Sequence, residues 1–309
     1  MTTEHVQAQI LQIVSDQLRG DYSDSLTRFS YLNGGAYDFV CMAHAPDYLG
    51  NDREIRLVSA MALEIRQRIP CFGQIIELGP GDGAKAATLI ERMDRRSVAY
   101  TGLDISQEML RIARQTFDGR DLSGDFEVCD WHDPSCLDAR LRKNNGRAAL
   151  VLFFGNTLTN EISVGNYLVG LRKTLDMTPS NRLMVGLETF DGDPHEIVKE
   201  YRTESNYTLT VRPLEMIGIN TRACSVDIFF NEKTQRIEEW FVSNATQEIR
   251  LLGFHLSLHR GTKILTSVTY KYALEEILRI FAESGWRVER SSHESSQWMF
   301  LLAPMRKVR

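Results

Sequence analysis

The feature that most constrains this chain is a rhythm. Between residues 74 and 187, short apolar runs alternate with stretches of helical period. Gln74-Ile75-Ile76-Glu77-Leu78 reads as a short buried strand, and Ala84 to Met93 as the helix that follows it. Val98 to Leu103 and Gln107 to Phe117 repeat the pair, and Phe126-Glu127-Val128-Cys129 makes a third strand. Ala148 to Phe154 is apolar almost throughout, as expected of a strand covered on both faces of a parallel sheet. Val164 to Leu175 carries Leu168, Leu171 and Leu175 on one helical face, and Arg182 to Leu187 supplies a fifth strand. Alternation of this kind predicts an α/β, doubly wound parallel sheet.

The rhythm differs on either side. Val6, Ile10, Ile13, Val14 and Leu18 predict a helix over about Glu4 to Arg19, which Gly20 ends. The Tyr/Gly-rich stretch from Phe29 to Tyr48, with Asn33-Gly34-Gly35, reads as irregular backbone. An amphipathic helix follows from Asp52 to Arg68. Beyond the fifth strand, Ser225 to Phe230, Arg236 to Val242, Gln247 to Leu252 and Lys263 to Thr269 look like successive antiparallel strands. A helix over Ala273 to Ser284 and strands at Trp286 to Arg290 and Met299 to Leu302 then return to the sheet and close it. The expected division is a core of residues 54–192 plus 272–309 and a second, α+β lobe of residues 1–53 plus 193–271.

Composition narrows the class. At 309 residues and 43% hydrophobic the chain has ample core for one large or two coupled domains, which excludes low-complexity disorder. No run of about 18 apolar residues occurs, and Met1 to Gln9 lacks the apolar stretch of a signal peptide, so no membrane partner is expected. A net charge of −5 gives no basic footprint for nucleic acid, and Arg306-Lys307-Val308-Arg309 reads as a solvated tail. Cys41, Cys71, Cys129, Cys136 and Cys224 lie scattered without a C-x-x-C pair, which reads as reduced thiols in a cytoplasmic protein.

The strongest local signal is Glu77-Leu78-Gly79-Pro80-Gly81-Asp82-Gly83, between the first strand and its helix. Glycines there let the backbone turn sharply and approach a ligand, and the first amides of the helix point at it. A lone turn of this kind also serves ligand-free βα connections. Context sharpens it. Asp104 ends the second strand, about twenty residues on, where a carboxylate can grip both ribose hydroxyls. Asp130-Trp131 ends the third, where an acid can accept from an adenine amine and an aromatic can cover the ring. The spacing also suits a nicotinamide dinucleotide and hence an oxidoreductase, and a non-catalytic cofactor-binding protein is a further alternative. The acid–aromatic pair, and G-P-G-D-G in place of G-x-G-x-x-G, favour S-adenosylmethionine and a methyltransferase.

These residues resemble the S-adenosylmethionine-dependent, histidine-specific methyltransferases of ergothioneine biosynthesis, a family that also includes enzymes acting on other amino acids. Nearly the whole chain takes part in the resemblance. It implies a doubly wound, Rossmann-like class I methyltransferase sheet with a second lobe that binds a small-molecule amino-acid substrate. Arg28-Phe29-Ser30-Tyr31 is similar to the family's R-Y-F-Y segment, with Phe39 and Pro46-Asp47-Tyr48 at the family's spacing. By that resemblance Tyr31 and Phe39 line the substrate pocket, Tyr48 lies between substrate and cofactor, and the two tyrosines serve catalysis. Glu77-Leu78-Gly79-Pro80-Gly81 resembles E-L-G-S-G, Lys85 matches a lysine that reaches the cofactor's methionine carboxylate, and Asp104, Asp130 and Trp131 fall on the ribose and adenine positions.

Phe154-Gly155-Asn156-Thr157-Leu158-Thr159-Asn160 resembles the family's G-G-T-x-G-N segment, which implies that Gly155 and Thr157 pass near the substrate and that Asn160 binds its amino and carboxylate end. Tyr201 corresponds to a tyrosine on the same carboxylate. The stretch from Gly261 to Tyr272 resembles I-x-T-E-I-S-x-K-Y/F, whose glutamate and serine hold the imidazole in histidine enzymes. Here Ser267 replaces the glutamate and Thr269 the serine. A neutral hydroxyl cannot supply a carboxylate's charge-assisted bond, so a substrate other than histidine is expected. Glu188, Asp191 and Asp193 follow the fifth strand, either as a solvated loop or as partners for a cation such as a guanidinium, so side-chain methylation of arginine stays open. His255 and His259 alternate as in a strand and lack a third metal ligand, and His132-Asp133 reads as a loop pair.

Overall fold

The computed structural model describes residues 2–45, 50–68, 72–93, 98–142, 147–176, 178–190 and 192–305. Pro46, Asp47, Tyr48, Cys71, Asp191 and the basic end at 306–309 lie outside the described residues. In chain order, helices α1 (Thr3–Leu18), α2 (Gly35–Ala43) and α3 (Gly50–Arg68) precede strand β1 (Gln74–Leu78). Then come α4 (Ala84–Arg92), β2 (Ala99–Asp104), α5 (Gln107–Gly119), β3 (Asp125–Val128), α6 (Pro134–Arg142), β4 (Ala149–Phe153), α7 (Val164–Leu175) and β5 (Arg182–Glu188). Helices α8 (Pro194–Tyr201) and α9 (Glu204–Met216) lead to β6 (Cys224–Asn231), β7 (Arg236–Ser243), β8 (Gln247–Leu251), β9 (Phe254–Leu258) and β10 (Lys263–Tyr270). Helix α10 (Leu274–Glu283), β11 (Trp286–Glu294) and β12 (Gln297–Pro304) end the described chain. Two compact units result, one of residues 1–42 and 192–271, the other of residues 43–191 and 272–309.

The larger unit holds a seven-stranded sheet in the order β11-β12-β5-β4-β1-β2-β3. Strands β1 to β5 are parallel, while β12 runs antiparallel to β5 and pairs with β11 as a hairpin. Every residue of β1 and of β4 is buried, which is why β4 reads as an unbroken apolar run, while β1 also buries Gln74 and Glu77. On one face α3 and α4 contribute Leu57, Val58, Met61, Ile65, Ala86 and Leu89 to a core that includes Ile75, Leu150 and Leu152 of the sheet. The chain runs outward from β1 to β3 and then crosses back to lay β4 on the other side of β1. That reversal opens a crevice beyond the carboxyl ends of β1 and β4, the place where open α/β sheets bind ligands.

The smaller unit holds a three-stranded antiparallel sheet, β10-β7-β6, and the β8–β9 hairpin. Helix α1 is tied to it by buried Gln17, whose Nε2 donates to the Leu265 carbonyl at 3.0 Å and whose Oε1 accepts from the Leu265 amide at 2.7 Å. A bulge at Thr266 shifts the β10 register, so that Leu265 pairs with Trp240 while Ser267 pairs with Glu239.

Three readings are corrected. The described part of the stretch from Phe29 is ordered: a 3₁₀ turn at Thr27–Tyr31 runs into α2. Glycine at 35 serves packing, because a Cβ there would collide with the Ser30 carbonyl oxygen. The thiols are not all reduced, since Cys129 and Cys136 form a disulfide with their Cα atoms 6.3 Å apart. The end of β3 and the first turn of α6 bring them together across a short loop, which no C-x-x-C spacing announces. His132 pairs with Asp130 and Glu161 instead of standing in a loop pair with Asp133. Helices α6, α8 and α9 have no counterpart in the sequence reading. His255 sits in β9 and meets Glu248 of β8 at 2.8 Å, an exposed cross-strand pair.

Candidate functional site

The glycine turn adopts a backbone that L side chains resist. Gly79, Gly81 and Gly83 have φ of 68°, 57° and 77°, all in the left-handed region. Gly83 caps α4, and the Asp82 carboxylate accepts from the Ala84 amide at 3.0 Å while meeting His44 Nε2 at 2.8 Å. Opposite this turn, the chain leaving β4 passes through Gly155 (φ 72°) and Asn156 (φ 61°) into a 3₁₀ turn, Thr157–Asn160. A Cβ at Gly79 would come 3.7 Å from Thr157 Cγ2, and one at Gly155 would come 3.1 Å from Lys85 Nζ. The two glycines thus keep open a cradle that side chains would fill.

Lys85 projects from the first turn of α4 and forms a 2.7 Å ion pair with Glu54 of α3, whose side chain is 3% exposed. The other oxygen of Glu54 accepts from the Gly155 amide at 2.8 Å. Glu54 therefore fixes both the lysine and the glycine beside it, and an ion pair sits where the sequence suggested a lysine awaiting a carboxylate. Glu77, at the end of β1, is buried and accepts from the Tyr100 hydroxyl at 2.5 Å, and burial raises its pKa to about 8.

The strand-end acids differ in their surroundings. Asp104 is buried and accepts from the Ser106 amide at 2.7 Å, and desolvation raises its pKa to about 7 against the opposing pull of the Ser106 and Ile105 amides. Asp130 accepts from the His132 amide at 3.1 Å and meets His132 Nδ1 at 2.9 Å. His132 Nε2 meets Glu161 at 2.9 Å, and its ring stacks on Trp131 with centroids 4.2 Å apart. An edge-on contact with Phe153 of β4, at 5.2 Å, also holds Trp131. Asn156 Oδ1 accepts from the Glu188 amide at 2.6 Å, which braces the β4 loop against the end of β5. Glu188 also accepts from Ser296 at 3.0 Å, and Asp193 is exposed.

In the smaller unit, Tyr31 and Phe39 meet edge to face at 5.2 Å. Tyr201 ends α8; its carbonyl accepts from Asn206 Nδ2 at 2.9 Å, and the buried Lys271 ammonium lies 5.5 Å from its ring centroid. Ser267 pairs with Glu239, and Thr269, two residues on along β10, pairs with Ile237. The site residues thus fall into two sets. The larger unit gathers Gly79, Gly81, Lys85, Asp104, Asp130, Trp131, Gly155, Thr157 and Asn160 around the carboxyl ends of its strands. The smaller holds Tyr31 and Phe39 in ring contact, Ser267 and Thr269 on one face of β10, and Tyr201 at the end of α8, while Tyr48 lies outside the described residues.

Sequence reading passed over Glu54, Glu239 and the bridging role of His132. Glu54 had a signal: it stands three, four and seven residues before Leu57, Val58 and Met61, on the apolar face of α3. S-adenosylmethionine fits the larger set: a cradle lined by glycines, a buried carboxyl for ribose hydroxyls, and a second acid beside an aromatic ring for adenine.

Residues 10–305 match the family described as histidine-specific methyltransferase, SAM-dependent. The histidine N-alpha-methyltransferase of Mycolicibacterium smegmatis is 24% identical over 88% of this chain and 90% of its own length. The ergothioneine biosynthesis protein 1 of Neurospora crassa is 24% identical over 91% of this chain, which spans only 33% of that protein. Among solved structures, an S-adenosylmethionine-dependent methyltransferase from Clostridium acetobutylicum aligns with a TM-score of 0.41 at 12% identity, over 97% of this chain and 99% of its own. With a match that runs through both units, the chain belongs to the histidine-specific, S-adenosylmethionine-dependent methyltransferase family.

Proposed function

We propose that the protein is an N-methyltransferase of a free α-amino acid or close derivative, and that this amino acid is not histidine. The observation that carries the reading is the pair of hydroxyls at Ser267 and Thr269, where the resemblance to histidine enzymes implies a glutamate and a serine. The head-group residues Asn160 and Tyr201 are kept while the side-chain reader is changed.

S-adenosylmethionine supplies a methyl already activated on a sulfonium. The protein's part is therefore to hold, orient and dry the site. In this reading Asp104 holds the ribose hydroxyls, Asp130 and Trp131 the adenine, and Lys85 the methionine carboxylate. Asn160 and Tyr201 grip the substrate's zwitterionic end, while Tyr31, Phe39 and Tyr48 aim its neutral amine. Fixing the amine in line removes much of the entropic part of the barrier. Excluding water strengthens the polar contacts that do so.

A panel assay tests the proposal: the purified protein, S-adenosylmethionine and each of the twenty amino acids, with products read by mass and the methylated nitrogen located by fragmentation. One non-histidine amino acid that gains methyl groups is the expected result. Methylation of histidine alone refutes the specificity, and no product with any of the twenty refutes a free standard amino acid as the substrate. For an amino acid without a side-chain amine, methylation on the α-nitrogen abolishes reactivity toward primary-amine reagents, whereas a side-chain product keeps it.

A further inference from the structure

We propose that Glu239 reads the far end of the substrate's side chain and selects an amino acid that carries a cation there. The inference rests on the α-amino-acid reading above and names the class of side chain.

In β7, Glu239 shares its face with Ile237 and Phe241, and across the antiparallel ladder with Ser267 and Thr269 of β10. The bulge at Thr266 is what puts Ser267, and not its neighbour, opposite Glu239. Of the two positions at which the side-chain reader has changed, Ser267 therefore stands directly opposite this carboxylate, and Thr269 lies one diagonal step away on the same face, opposite Ile237. Helix α9 covers the same face, and its Thr210 hydroxyl and Asn206 amide both donate to Glu239 Oε2. Asn206 also donates to the carbonyl of Tyr201, so one amide ties Glu239 to the residue that grips the substrate's carboxylate.

The surroundings of the carboxylate are incomplete in one respect. Glu239 is 3% exposed, and its partners Thr210, Asn206 and Ser267 are all neutral. No ion pair reaches it among the described residues. Its neighbour Glu238, on the opposite face and equally buried, has the Arg236 guanidinium at 2.7 Å as well as donors from Asn231 and Trp240. A buried carboxylate without a cation is costly to ionise, and burial raises the Glu239 pKa to about 7. A guanidinium or ammonium arriving beside it supplies the missing charge. The same carboxylate has nothing to offer an apolar side chain. Ser267, shorter than the glutamate of the histidine enzymes, donates to Glu239 and meets the Thr27 hydroxyl at 3.4 Å, so the carboxylate next to this position comes from β7 instead of β10.

The test measures kcat/KM and KM for two matched pairs, arginine against citrulline and lysine against norleucine, in the wild type and in Glu239→Gln. Affinity for S-adenosylhomocysteine and the melting temperature serve as controls. The wild type is expected to favour the cationic member of at least one pair by about 10- to 100-fold, the scale of a hydrogen bond to a charged group. Glu239→Gln, which keeps the shape and the acceptor for Thr210, is expected to bring that ratio to within a few-fold of one through KM, with S-adenosylhomocysteine affinity unchanged. A glutamate that merely ties α9 to the sheet would lower all rates together and leave the ratio intact, and that result overturns the inference. So does a wild type that turns over only neutral amino acids, whether or not the variant folds. If the wild type methylates no free amino acid, the substrate class and this inference fall together.

Discussion

With Asp104 holding the ribose hydroxyls, as proposed, its burial should make cofactor affinity depend on pH. In the free protein its pKa is raised to about 7 by burial, with backbone amides as its hydrogen-bond partners. Ribose hydroxyls donate, so the ligand needs the ionised acid, and the proton must leave before or during binding. At pH 8 about nine-tenths of the molecules carry ionised Asp104, and at pH 6 about one-tenth. Affinity should therefore fall about tenfold from pH 8 to pH 6. Calorimetry with 5′-methylthioadenosine isolates the effect, because that ligand carries the ribose and adenine but no group that titrates in this range. Asp104→Asn should bind more weakly and lose the dependence. Stability should move the other way: the folded state keeps a proton that the unfolded carboxyl releases above its ordinary 3.8, so this group's contribution declines as pH rises toward 7 and is flat beyond. An affinity that is flat from pH 6 to 8, or a slope that survives Asp104→Asn, refutes the assignment of Asp104 to the ribose.

Other consequences are as direct. Lys85→Met strands the buried Glu54 carboxylate and should destabilise the fold by about 3–5 kcal/mol, with Glu54→Gln in the same chain recovering much of it, as read by urea denaturation. Gly35→Ala should lower the melting temperature strongly, because the new Cβ meets the Ser30 carbonyl oxygen, whereas Gly218→Ala meets no atom and should cost only its left-handed backbone. Reducing the Cys129–Cys136 bridge, seven residues apart, frees a short loop and should cost about 2 kcal/mol, seen as a lower melting temperature in the presence of a reductant. Phe117→Ala, fully buried between Tyr100 and Phe126, should cost about 3–5 kcal/mol with little change in cofactor affinity.

The parts of the fold that were legible in the sequence are those whose signal is local. β4 is buried on both faces and reads as an apolar run, β1 shows Ile75, Ile76 and Leu78 ahead of its glycines, and the turn from Gly79 to Gly83 shows those glycines because three of its residues need positive φ. Helix α9 was missed because its pattern is blurred: Pro213 lies within it, and its inward face carries Asn206 and Thr210, polar residues turned toward Glu239. The α2 segment was misread because Asn33-Gly34-Gly35 looks like punctuation. Gly35 is demanded by the Ser30 carbonyl oxygen and Gly34 by its φ of 91°, while the Arg212 guanidinium donates to the neighbouring Asn33 carbonyl at 2.7 Å. Both partners are distant in sequence or depend on a turn already formed, and no local period encodes them.

The candidate site shows the same boundary more sharply. Positions at strand ends could be counted off, but what each acid meets could not. Consider Ile237-Glu238-Glu239-Trp240-Phe241 in β7. Two consecutive acids in a strand point to opposite faces, so if both faces are covered each acid must find its own partners. Both are in fact buried. Glu238 meets a guanidinium from its own strand, two residues away, and is settled by local chemistry. Glu239 meets only neutral donors, two of them brought by α9 and one by β10. Nothing in the order of the letters separates the two glutamates. The tertiary fold does, by closing the charge on one and leaving it open on the other, and the open one lies opposite Ser267, the position proposed to read the substrate's side chain.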